Sequence, residues 1–174
     1  MEPSVSAPEP ESAFEQVVLP HLDAAYNLAR WLAGNDHDAQ DIAQEACVRA
    51  WRFRGGYRGG NGRAWLLAIV RNTAYTWLKK NRPQIMVPLT DEDLKVEDPA
   101  APGPAFEGAD VAALRAAMEE LPLEFREALV LRELEGLSYK EIADVADVPL
   151  GTVMSRLARA RRQLQTAFRQ KVDV

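Results

Sequence analysis

The chain has 174 residues, 47% hydrophobic and 27% charged, with a formal net charge of −5, a balance that suits one ordinary globular domain or two small ones. Its single cysteine, Cys47, excludes an internal disulfide, and the two histidines, His21 and His37, lie far apart with no cysteine companion, so no metal site is expected. The apolar stretches are short, Ala64 to Val70 being typical, so no membrane insertion is expected.

The first residues, MEPSVSAPEPES, are acidic and proline-rich and lack the basic start and apolar core of a signal peptide. Residues 1–11 therefore read as a disordered tail and the protein as cytoplasmic. A first helix spans about Ser12 to Leu32, with Phe14, Val18, Leu22, Ala25, Ala29 and Leu32 on one face. Pro20 should break it, and Gly34 ends it. Asn35 or Asp36 caps a second helix, whose stripe is Ile42, Ala46, Ala50 and Phe53; Cys47 reads as a small buried side chain beside it. RGGYRGGNG is too glycine-rich for a helix interior and forms a basic loop. A third helix runs from about Arg63 to Asn81, with Leu67, Val70, Ala74 and Leu78 in register, and Pro83 stops it.

Residues 83–110 are rich in proline and acid and have no period, which predicts an interdomain linker. Beyond it, Val111, Leu114, Met118 and Leu121 mark a short helix, and Leu123 to Leu134 another, closed by Gly136. Ser138 and Glu141 form a capping box that opens the next helix; the last begins near Gly151 and reaches about Gln170. Strand signals are scarce. The fold class is all-α: two small helical domains, residues 12–82 and 111–170, joined by a flexible acidic linker.

The charge is segregated. From Arg49 to Arg82 there are nine basic residues and no acidic one; from Pro149 to Val172 there are six and again no acid. Residues 1–48 carry nine acids against Arg30 alone, and residues 83–124 carry ten against Lys95 and Arg115. A merely solvated surface mixes the signs, so two basic blocks point to two places where phosphate is met.

The segment LSYKEIADVADVPLGTVMSRLARARRQL has the parts of a helix-turn-helix. Ser138 caps, Ile142 and Val145 face inward, and Ala143 permits close approach of the partner helix. Asp147-Val148-Pro149 makes the turn, and Val153, Leu157, Ala160 and Leu164 form the buried seam of the second helix. Arginines off that seam suit phosphate and guanine, because their planar fork matches paired acceptors. An antiparallel helical hairpin with a solvated basic face is the plainer alternative.

These residues resemble a family. LPLEFREALVLRELEGLSYKEIADVADVPLGTVMSRLARARRQL looks like region 4 of bacterial sigma factors, specifically the extracytoplasmic-function (ECF) group of the sigma-70 family. DAQDIAQEACVRAWR and GRAWLLAIVRNTAYTWLKKNRP are similar to region 2 of the same group. The resemblance covers about residues 12–82 and 111–170, and implies a bacterial sigma factor that directs core RNA polymerase to specific promoters and starts transcription. It implies polymerase contacts to the β′ clamp helices by Asp38, Asp41, Gln44, Glu45 and Arg49, and a region 4 seated on the β flap. It implies −35 recognition by Thr152, Met154, Ser155, Arg156, Ala158, Arg159 and Arg162. For the −10 element it implies Tyr57, Arg58, Asn61, Arg63, Arg71, Asn72, Trp77, Lys79, Lys80 and Arg82, with the Tyr57–Arg63 loop capturing a flipped base. An anti-sigma factor in a stress or envelope response is the implied regulator. Three positions depart from the family pattern: Met154 replaces a usual Lys or Arg, Asp147 a turn glycine, and Thr76 a frequent Asp.

Among the aromatics of the first basic block, Trp51, Phe53 and Trp65 read better as core than as a platform for unstacked bases, and Tyr57 better as a contact. No nucleophile–base pair and no clustered metal-binding carboxylates occur in the basic blocks, so neither enzymatic activity nor a cofactor is expected. A LuxR-like regulator shares such a helix-turn-helix, but would carry a sensor domain of alternating strands and helices where residues 12–82 show helices.

Overall fold

The computed structural model describes residues 10–89 and 110–173. The described residues contain eight α-helices and no strand: α1 (Pro10–Val18), α2 (Leu22–Ala33), α3 (Asp36–Arg52), α4 (Gly62–Asn81), α5 (Val111–Glu119), α6 (Leu123–Leu129), α7 (Tyr139–Ala146) and α8 (Leu150–Val172). The all-α fold class is borne out. Of the tail expected over residues 1–11, residues 1–9 lie outside the described residues while Pro10 and Glu11 belong to α1; of the linker expected over 83–110, residues 90–109 lie outside them.

Pro20 breaks the first helix as its missing N–H requires, and a single 3-10 turn, Leu19–His21, separates α1 from α2. Gly34 closes α2 in the left-handed conformation (φ 84°), with its N–H on the Arg30 carbonyl at 2.9 Å. Asn35 caps α3, its side chain accepting the Asp38 N–H at 2.9 Å. The first unit packs α2, α3 and α4 around Leu28, Leu32, Ile42, Leu66, Leu67, Val70 and Leu78, all buried. On α3 the inward stripe is Ala39, Ile42, Ala46 and Ala50, small enough for close helix approach.

The second unit comprises α5 to α8. Asp110 caps α5 through Ala112 and Ala113. The helix expected over Leu123–Leu134 is α only to Leu129; Val130–Leu134 forms one wider π turn, closed by the Glu135 N–H on the Val130 carbonyl at 3.0 Å. Leu131 and Leu137 are both buried across this turn while Leu134 is exposed. The capping box of Ser138 and Glu141 is formed in both directions, at 3.1 and 2.9 Å. Asp147 turns the chain with φ 53°, the only positive φ outside glycine among the described residues. The buried residues of α8 are Val153, Leu157, Ala160 and Leu164, as the periodicity requires.

Several expectations fail where a stripe runs past the core. Phe53, the residue that follows the end of α3 at Arg52, is 63% exposed, and Trp51 is 38% exposed; Trp65 is half-buried. Cys47 is half-buried rather than fully inside, and Leu22 and Val111 lie at helix starts and are exposed. Residues 83–89, assigned to the linker, instead form a 3-10 turn (Pro83–Ile85) and an irregular piece, with Ile85, Met86 and Leu89 packed against the body.

The two units pack on each other, α4 against α7 and α2 against α6. Arg126, 9% exposed, sits at this junction with donors on the carbonyls of Met118 (3.2 Å), Glu119 (2.9 Å), Leu121 (3.1 Å) and, from the first unit, Trp31 (3.0 Å). Burial pulls its pKa down, opposed by the charge of Glu119.

Candidate nucleic-acid interface

The glycine-rich loop folds around Tyr57. Gly59 and Gly60 both take φ 87°, where a side chain is strained, and the Tyr57 hydroxyl donates to the Gly60 carbonyl at 3.0 Å. The Tyr57 ring tilts on Trp65 with centroids 5.3 Å apart. Asn61 caps α4 by accepting the Ala64 N–H at 3.1 Å. At Gly62 a Cβ would stand 3.0 Å from Val17 Cγ1, so any larger residue there would push on the α1 side chain. Beside the loop lies an open cavity of about 440 Å³ lined by Phe14, Val17, Arg52, Arg54, Gly55, Tyr57 and Trp65. The Arg54 guanidinium rests 3.8 Å above the Trp51 ring, which meets Phe14 edge-on at 5.1 Å. Aromatic faces beside arginines are the chemistry on which unpaired bases stack. The exposed Trp51, read from sequence as core, belongs to this surface.

The other −10 candidates divide into three groups. Arg58, Asn72, Lys79 and Lys80 are exposed, and Trp77 is half-buried with Arg82 5.7 Å from its ring. Arg82 is tied to the Ala33 carbonyl and, at 3.4 Å, to Asp38, which makes it a brace between the ends of α2, α3 and α4. Asn61, Arg63 and Arg71 reach acidic residues of the second unit. Asn61 donates to Glu141, Arg63 lies 4.0 Å from Glu135, and Arg71 Nε donates to Glu127 at 2.6 Å.

Glu127 is 1% exposed and also accepts from the Tyr75 hydroxyl at 2.9 Å. Burial pushes its carboxyl up and Arg71 pulls against that. Burial, and then the charge of Glu127, drive Tyr75 far above the ordinary phenol range, so its hydroxyl stays a neutral donor. Burial opposes the charge of Arg71, but Glu127 beside it holds the guanidinium's pKa above its ordinary value.

On α3, Asp41, Gln44 and Glu45 share an exposed face; Arg49 pairs with Glu45 at 3.1 Å. Asp38 is half-buried between Asn35 and Arg82. The ligand atoms of His37, Asp38 and Asp41 come within 4.8 Å of one another. Asp38 is already engaged by an arginine, and that disfavours a cation there.

In the second unit the seam of α8 faces inward, leaving Met154 and Arg162 exposed and Thr152, Ser155, Arg156, Ala158 and Arg159 half-buried. Leu89 and Phe125 join Gly151, Thr152, Ser155, Arg156 and Arg159 around a cavity of about 250 Å³ at the start of this helix. Met154 thus presents a thioether on a front whose other residues, Ala158 apart, are polar or cationic.

Residues 17–84 match the model of sigma-70 region 2, and residues 112–164 match that of sigma-70 region 4. The chain belongs to the sigma-70 family. It is 38% identical over 156 residues to the ECF RNA polymerase sigma factor SigE of Mycolicibacterium smegmatis, covering 88% of this chain and 60% of that protein. It is 35% identical over 166 residues to the RNA polymerase sigma-H factor of Pseudomonas aeruginosa, covering 90% and 86%. Its fold matches the sigma factor RpoE of Bartonella quintana, solved in complex with the anti-sigma factor NepR, with TM-score 0.70 and 31% identity over 94% of this chain and 99% of that one. The chain is an ECF-type sigma factor, a transcription initiation factor and not an enzyme. None of its described helices is long and apolar enough to cross a membrane.

Sequence reasoning missed Glu127, Glu135, Asn27 and Arg126. One signal could have found Glu127: it stands between Leu123 and Leu131 at four-residue spacing, an acid on an otherwise apolar stripe. An acid in that position needs a buried partner, and the sequence does not name one.

Proposed function

We propose that this sigma factor brings core RNA polymerase to promoters that carry two spaced elements, region 4 reading the −35 duplex and region 2 opening and holding the −10 strand. The observation that carries this is the presence in one chain of two different DNA-facing chemistries. The α7–α8 motif has its seam buried and Thr152, Met154, Ser155, Arg156, Ala158, Arg159 and Arg162 off it. That suits a helix lying in a major groove. The cavity at Tyr57, with Trp65, Arg52 and Arg54, suits a single flipped base.

In this reading Arg58, Lys79 and Lys80 meet phosphates and Asn72 reads a base edge, while Asn61, Arg63 and Arg71 join them once released from their acidic partners. Asp41, Gln44, Glu45 and Arg49, with Asp38 at the end of the row, meet the β′ clamp helices, and region 4 meets the β flap. The chain works in the cytoplasm, without a cofactor, under an anti-sigma factor; the NepR complex of the Bartonella relative supports that last point.

The test is in-vitro transcription with purified core polymerase on fragmented DNA from the source organism, sequencing transcript starts. Discrete starts that need the protein and share two upstream elements bear the proposal out. Intact duplex binding with no protein-dependent start would refute it and favour a helix-turn-helix regulator.

A further inference from the structure

Side chains four apart on a helix stack into ridges, and two such ridges run side by side along the first turns of α8. One is Gly151, Ser155 and Arg159. The other is Leu150, Met154 and Ala158, continued by Arg162, and its first three members are apolar. The core does not use them, because the inward seam of α8 is Val153, Leu157, Ala160 and Leu164. Leu150 is 49% exposed and Met154 37%, Ala158 is half-buried, and Arg162 is exposed. A Cβ placed on Gly151 would meet nothing within 4 Å, so the space beside Leu150 is open. Thr152, Ser155, Arg156 and Arg159, by contrast, are half-buried around the cavity they share with Leu89 and Phe125.

This apolar ridge lies in a stretch, residues 149–172, with six basic residues and no acid. Its counterpart must therefore offer apolar groups set among negative charge. A DNA major groove does so: phosphates flank it, and the thymine 5-methyl is the one apolar group on its base edges. Leucine and alanine side chains have neither donor nor acceptor, and a thioether is only a weak acceptor, so the ridge has nothing with which to answer the paired acceptors of guanine.

We infer that Leu150, Met154 and Ala158 form a specificity-determining ridge that packs on thymine methyl groups of the −35 element, with Arg162 at its end on a phosphate. The inference rests on the −35 reading of α8 and adds Leu150 to the residues assigned to it. Four residues of helix rise about 6 Å and successive bases about 3.4 Å, so the ridge spans roughly four base pairs. The element should hold at least two thymines within that span, on either strand. Each buried methyl contributes about fourfold in affinity.

The test begins with the full chain and a duplex library randomised over about one helical turn of DNA. The enriched duplex is then remade with each thymine in turn replaced by deoxyuridine, which removes the methyl and nothing else. Gel shifts at fixed salt give the affinities. Loss of the methyl should weaken the parent about fourfold at two or more positions. Met154→Ala, its folding checked by far-UV circular dichroism, should bind thymine and deoxyuridine at one of those positions within about 1.5-fold of each other while keeping the loss at the other, as a direct contact requires. Met154→Arg, put through the same selection, should enrich guanine there. The inference is overturned by a selection that enriches no element or one without clustered thymines. It is equally overturned by deoxyuridine effects under about 1.5-fold throughout, the result expected of an apolar ridge that meets protein, or by effects that Met154→Ala leaves unchanged. Core-dependent transcription by the parent is scored separately. If it is present while the methyls have no effect, the thymine ridge fails and the promoter reading stands; if it is absent while the methyl dependence holds, the ridge stands and the initiation reading falls.

Discussion

Arg126→Met should destabilise region 4 more than any other single change at an arginine of this protein. The side chain makes four bonds to backbone carbonyls, and Met118, Glu119 and Leu121 contribute three of the acceptors at the end of α5, where the Met118 carbonyl also accepts the Leu121 N–H. Hydrogen bonds from a charged donor contribute about 1.5–3 kcal/mol each, so four would nominally give roughly 6–12 kcal/mol. Two effects reduce this. Burying the guanidinium itself costs several kcal/mol, as its lowered pKa indicates. Some of the freed carbonyls will also be reached by water once the α5–α6 turn relaxes. Losing one partner of a buried charged network costs about 3–5 kcal/mol, and at roughly 2–4 °C per kcal/mol for a chain of this size the melting temperature should fall by about 6–20 °C. Circular dichroism at 222 nm during a thermal and a urea titration measures it. Arg126→Lys should recover less than half of the loss, because a single ammonium cannot span carbonyls arrayed around a planar fork. A methionine variant that melts within about 1 °C of the parent would refute the reasoning.

Ser138→Ala should cost about 1 kcal/mol through loss of the α7 cap. The Ser138 backbone N–H holds the Glu141 carboxyl below its ordinary pKa; the resulting stability is present above the unfolded value and is lost as pH falls through the folded one. The stability difference between parent and Glu141→Gln should accordingly shrink between about pH 4.3 and the folded value, as urea titrations across that range would reveal. Gly62→Ala should cost about 1–3 kcal/mol by overpacking Val17, and Val17→Ala in the same chain should return part of it; additive losses in that double variant would contradict the steric account. Arg159→Ala should weaken binding to a −35 duplex with little effect on core polymerase, and Asp41→Ala should do the reverse; equal loss of both in each variant would indicate misfolding.

The sequence by itself determined the helix breaks, ends and caps whose cause lies within a few residues. Pro20 breaks a helix because its nitrogen has no hydrogen, Gly34 ends one because only a left-handed residue closes it, and Ser138 and Glu141 cap each other across one turn. The inward seam Val153, Leu157, Ala160 and Leu164 follows from the helical period alone, and the two basic blocks were visible as runs free of acid. Tertiary structure decided what periodicity cannot reach. Phe53 continues the stripe of Ile42, Ala46 and Ala50 in sequence, but α3 ends at Arg52 and Phe53 is exposed. The π turn at Val130–Leu134 has the same residue types as an α-helix, and its widening accompanies the burial of Leu131 and Leu137 together. Above all, the partner of Glu127 is 56 residues away in the chain. A buried charge must be paired, so the sequence could require that a cation exist, and only the packing of the second unit on the first made that cation Arg71.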